Sequence, residues 1–115
     1  MDLDHHADAR SLPALAKALR DPLARVRRLA VHAIGCQACK DRPLRLDVTG
    51  LLVQRLRVEP SQRVRRVIAH MLGNQPPDPR ARRALAAVVR GIRDSRLRFN
   101  ATWALGRHLP VALAR

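Results

Sequence analysis

Apolar positions recur along this chain with the 3.6-residue beat of amphipathic helices. Val26, Leu29, Ala30, Ala33 and Ile34 fall at i, i+3, i+4, i+7 and i+8, and Val64, Val67, Ile68, Met71 and Leu72 repeat the series. This spacing predicts one helix running to Gly35 and a second running to Gly73. A third stripe of Leu97, Ala101, Ala104 and Leu105 carries Asn100 where an apolar residue would be expected. Ahead of each lies another amphipathic segment, over 12–20, 48–57 and 80–92. Helix-start chemistry marks these: Ser11 precedes Leu12 and Pro13, Asp47 precedes Val48, and Asp78 precedes Pro79. A side-chain oxygen satisfies an orphan N–H at such a start, and proline in the first turn removes no helical bond. Pro43 and the NQPPDP run at 74–79 interrupt the chain between pairs. No strand-like alternation competes, so the expected fold is all-α, a short α-solenoid of three helix pairs, each an A helix followed by a B helix.

The pairs are copies of one another. Asp21–Gly35 (DPLARVRRLAVHAIG), Glu59–Gly73 (EPSQRVRRVIAHMLG) and Asp94–Gly106 (DSRLRFNATWALG) align on an aliphatic residue, an Arg and a terminal glycine. The glycines stand 38 and then 33 residues apart, a period typical of helical repeat arrays. The pattern of Asp-Pro, Val-Arg, alanines and a closing Gly resembles the HEAT repeat, in particular the short bacterial kind also found in phycobilisome-lyase-type proteins. The resemblance covers residues 11–108. It implies three HEAT-like pairs over about 11–39, 47–74 and 78–108; the length suits a single domain, 11–115, and residues 1–10 read as an acidic tail. It also implies a ladder between turn acids and B-helix arginines, here Asp21, Glu59 and Asp94 with Arg27, Arg65 and Arg98. Two departures stand out: Glu59 replaces the family's Asp, and Asp94 lies two residues closer to its aliphatic partner than Asp21 does.

Charge narrows the partner. The chain has 23 Lys plus Arg against 9 Asp plus Glu, a net +14, which points toward something acidic, although the strong bias to Arg and Ala is also what a GC-rich gene produces. The longest apolar run, Ala84–Val89, is far short of a bilayer span. The acidic, polar start is unlike a secretory signal, so the expected location is cytoplasmic. Catalysis lacks its parts: there is no carboxylate pair, GxSxG, Walker loop, HExxH or GxGxxG. With Phe99 and Trp103 as the sole aromatics, a base-reading glycosylase pocket is also poorly supplied. The expectation is a non-enzymatic module with no cofactor.

Two constellations remain. His32, Cys36 and Cys39 are spaced i, i+4, i+7, which suits metal ligands on one helix side, but a fourth ligand is missing and Gly35 is placed to end the helix before the cysteines. The cysteine pair therefore reads as structural or incidental in a reducing compartment, with a metal site and a redox or disulfide role as the alternatives. The second constellation is a basic strip. With the apolar stripe inward, 100° per residue puts Arg25, Arg28 and His32 on the opposite face, with Arg63, Arg66 and His70, then Arg96, Phe99 and Trp103, in the same place on the next two B helices. The HEAT resemblance implies that B helices line the concave surface. The strip then reads either as a solvated face or as a docking surface for an acidic protein or peptide, with Arg forks gripping carboxylates and Trp103 as an anchor or as the lid of the last core. Phosphate-backbone binding to DNA or RNA is the alternative ligand, and a membrane is not expected.

Overall fold

The computed structural model describes residues 12–36 and 46–110. They form six helices in chain order: α1 Leu12–Ala18, α2 Ala24–Gly35, α3 Val48–Val58, α4 Gln62–Gly73, α5 Pro79–Gly91 and α6 Ser95–Arg107. No strand occurs among the described residues. The B helices α2, α4 and α6 pack side by side, while α1, α3 and α5 make a second layer over them. The stack measures 41 × 28 × 18 Å.

Starts follow the expected chemistry. Asp47 accepts a hydrogen bond from the Gly50 N–H at 3.0 Å, and Asp78 accepts from the Arg80 N–H at 2.8 Å with Pro79 opening the helix. Ser61 caps α4 and Asp94 caps α6, accepting from Val64 and Leu97. Each satisfies an orphan donor, a contribution of about 1 kcal/mol. Ser11 lies outside the described residues.

Leu15, Leu19, Ile34, Leu52, Leu56, Val64, Ile68, Leu72, Leu85 and Leu97 fill the space between the layers. The buried arc of α2 differs from the expected stripe: Leu29 is 40% exposed, whereas Val31 and Arg27 are buried. A B helix inside a stack touches its own A helix and also the next B helix. Its buried arc is thereby widened toward the 27/31/35 side, which a two-layer reading leaves out. Position 31 shows this well. Its equivalents are Val31 and Ala69, both sealed by the following repeat, and Thr102, which is exposed on α6. Asn100 also finds its reason here, because its side-chain amide donates to the Arg66 carbonyl at 3.1 Å and binds α6 to α4.

The aligned glycines are not left-handed caps, since no described glycine has a positive φ. They are close-approach points. A Cβ at Gly35 would stand 2.4 Å from the Met71 Cβ, and one at Gly73 would stand 2.2 Å from Trp103 Cζ3. Gly106, equivalent in sequence, meets nothing within 4 Å. Gly73→Ala is therefore expected to destabilise the fold by about 1–3 kcal/mol through overpacking. Gly106→Ala should instead stabilise it by roughly 0.5–1 kcal/mol, because alanine suits an open helical position better. Chemical denaturation of the two variants checks the opposite signs.

Candidate interaction surface

Three sets of polar contacts cross between repeats, and together they decide which charges remain available. The first joins B helices at their N-terminal ends. Arg27 donates from Nε and Nη2 to the two carboxylate oxygens of Glu59 at 2.8 and 3.0 Å, and from Nη1 to the carbonyls of Asp21 and Pro22 at 2.8 and 3.0 Å. The Glu59 side chain is fully buried, and Arg55 and the Ser61 N–H also donate to it. Burial pushes the Glu59 carboxyl up, but these donors and the two guanidinium charges outweigh it, and its pKa lies below the usual carboxylate value.

The next rung uses a different arginine from the one expected. Arg66, not Arg65, forks onto Asp94, with Nε at 3.0 Å from Oδ1 and Nη2 on Oδ2. The reason is the two-residue displacement of Asp94 in the sequence. Glu59 stands two residues before its N-cap, whereas Asp94 is the N-cap itself. The carboxylate thus meets α4 about 100° further around, where the following residue points. Arg65 donates to Gln62 instead, at 3.2 Å. Arg98 bonds the Ile92 carbonyl of its own turn, as Arg27 bonds that of Asp21, and Asp21 itself caps Leu23 N–H at 2.8 Å. Of the expected ladder, Arg27 and Glu59 form a rung, Asp94 forms one with a changed partner, and Arg65, Arg98 and the Asp21 side chain form none among the described residues.

The second set lies in the A layer, where Arg80 grips Asp47 of the preceding repeat at 2.6 and 2.9 Å and its own cap Asp78 at 2.9 Å. The third ties the C-terminal ends of the B helices. Gln75 donates to the Gly35 carbonyl at 2.8 Å. His108, buried, accepts the Asp78 N–H on Nδ1 at 3.0 Å, so its Nε2 carries the proton and donates to the Leu72 carbonyl at 2.6 Å. Sequence reasoning missed both residues, yet a signal was present: Gln75 and His108 each stand two places beyond an aligned glycine.

The strip residues sit as follows. Arg25, Arg63 and Arg96 are exposed at equivalent places on the three B helices, and Arg28 and His32 are half-buried. Arg66, assigned to the strip, has its guanidinium committed to Asp94. Phe99 is 74% exposed. Trp103 does more than project from the surface. It is seated in the Gly73 niche, stacks on His70 with centroids 5.0 Å apart and rings 15° from parallel, and has the Arg107 guanidinium 5.9 Å from its centroid. His70, Trp103 and Arg107 are thus one aromatic–cationic cluster joining α4 to α6.

Of the expected ligand trio, Cys39 lies outside the described residues, and Cys36 is disulfide-bonded instead of being the reduced thiol expected. Among the described residues no three His, Cys, Asp or Glu side chains gather as metal ligands. No helix of the described residues is long and apolar enough to cross a membrane.

Stacked helix pairs joined by guanidinium–carboxylate rungs define a helical-repeat scaffold. A family model described as HEAT repeats matches residues 49–110, and the chain belongs to that family. HEAT repeats generally act in protein–protein interaction or scaffolding and are generally non-catalytic. No curated protein and no solved structure matches the chain.

The rungs predict an acid-sensitive fold. Arg66 and the Leu97 N–H hold Asp94 at about 2, and Arg80 and the Gly50 N–H hold Asp47 at about 2. A carboxyl whose folded pKa is depressed contributes stability above its unfolded value, about 3.9, and loses it as pH falls through the folded value. The unfolding midpoint should be level from about pH 7 to 5 and fall steeply between about pH 4 and 2. Asp94→Asn keeps the cap but not the charge, so it should start lower and fall less, as denaturant titrations across pH will read.

Proposed function

We propose that this protein is a non-catalytic interaction module that binds an acidic protein partner through the exposed face of its B helices. The observation carrying this reading is how the carboxylates are used. All five described acids, Asp21, Asp47, Glu59, Asp78 and Asp94, accept hydrogen bonds inside the fold. Arg25, Arg63 and Arg96 carry no carboxylate partner among the described residues, and they recur in register on adjacent helices. Planar Arg forks bind carboxylates in pairs of charge-assisted hydrogen bonds, so a regular row of them favours a ligand presenting several acids. Phe99 and Trp103 end the row with apolar area, which suits the anchor of a protein interface. Arg28, His32 and His70 complete the proposed face, while Arg66 serves the fold.

The test is capture from lysate on the immobilised chain, with and without nuclease, beside a variant carrying Arg25→Gln, Arg63→Gln and Arg96→Gln. The expected result is retention of acidic proteins that resists nuclease and is sharply reduced in the variant. Nucleic acid as the ligand would show itself by nuclease sensitivity and by a log–log salt slope of about −0.9 per phosphate neutralised on purified duplex DNA. Retention unchanged in the triple variant would remove the B-helix face from the account.

A further inference from the structure

The ladder has a vacancy. In repeat register the turn positions are Asp21, Glu59 and Ile92, and the arginines are Arg27, Arg65 and Arg98. Arg27 reaches forward to Glu59 of the next repeat. The residue in the same relation to Arg65 is Ile92, which cannot accept a hydrogen bond through its side chain. Val88 likewise replaces Arg55, the second donor to Glu59. The whole Arg27–Glu59–Arg55 cluster is thus reduced, one repeat later, to a single guanidinium. The Arg65 Nε is buried without a hydrogen-bond partner, whereas the matching Nε of Arg27 donates to Glu59.

Arg65 and Ile92 line one groove of about 430 Å³ between the second and third repeats. Arg57 and Arg83 also border it, and neither has a carboxylate partner among the described residues. The floor is aliphatic and small: Ala84, Ala87 and Val88. At its rim Gly91 meets nothing within 4 Å of where a Cβ would stand, which leaves room for a polypeptide backbone to approach. An unsatisfied buried N–H costs roughly 1–3 kcal/mol, and a carboxylate from outside would recover that cost.

We infer that this groove takes a glutamate side chain of a partner polypeptide, flanked by aliphatic residues, whose carboxylate occupies on Arg65 the place Glu59 occupies on Arg27. Arg57 and Arg83 add charge at the rim, and the alanine floor receives the aliphatic neighbours. A phosphodiester would fit the guanidiniums but would leave the apolar floor unmatched. The groove shares no residue with the B-helix face, so either surface can fail without the other.

The probe is an acetylated, amidated pentapeptide with a central glutamate between leucines, compared with its glutamine twin by calorimetry. Wild-type protein should bind the glutamate peptide with one site and the twin at least about tenfold more weakly. Arg65→Gln should weaken the glutamate peptide by about tenfold, and the triple B-helix variant should bind it as wild type does. Ile92→Glu should fill the vacancy from within, removing peptide binding while raising the melting temperature by about 4 °C. That variant keeps the test independent of any folding defect in Arg65→Gln. The proposal is overturned if wild type does not bind the peptide, if the twin binds equally, if Arg65→Gln or Ile92→Glu leaves affinity unchanged, or if binding is lost in the B-helix variant instead.

Discussion

The contact on which the rest of this structure depends is the guanidinium–carboxylate rung between successive repeats. B helices of 12 or 13 residues are marginal alone, and a helix pair of this size buries its apolar face only against its neighbours. Apolar packing supplies the attraction, but alanine-rich surfaces would slide. The rung fixes register, because a buried acid such as Glu59 leaves a large penalty if its partner is displaced. Asp94 also caps the helix it starts, so a single carboxylate both begins α6 and pins it to α4.

This economy governs the surface. Acids spent on caps and rungs are not available to neutralise the exterior, and the arginines outside the ladder accumulate as positive charge on the B-helix face and around the groove beside Arg65. The third repeat shows how a small change in spacing propagates. Moving its turn acid to the cap transfers the rung from Arg65 to Arg66, and the residue meeting the preceding glycine likewise moves by one, from the position of Met71 to that of Trp103. One displacement thereby settles three things: which arginine is structural, which aromatic closes the stack, and which guanidinium is left without its acid.

Much of this was legible in the sequence. Periodicity and the three glycine-terminated copies contained the helices, their order and their pairing, and the Asp and Pro starts were visible as caps. The displaced Asp94 was visible too, but its consequence required knowing where α6 lies against α4. The burial of Arg27 and Val31 was not legible, because a stripe drawn on one helix does not include burial by the next repeat. Gln75 and His108 escape a reading of the sequence because their partners are backbone groups, which leave no mark in side-chain patterns. Trp103 was legible as an aromatic at the end of a basic row, but not as the ring that Gly73 is small enough to seat.

The central claim is that rungs, in their shifted register, hold the repeats together, and a set of double-mutant cycles on unfolding free energy tests it directly. The Arg27–Glu59 pair should couple by about 2 kcal/mol, the upper part of the range for buried contacts. Arg66 should couple measurably to Asp94, and Arg65 should couple to neither acid. Coupling of Arg65 to Asp94 as strong as that of Arg66, or no coupling between Arg27 and Glu59, would contradict the account.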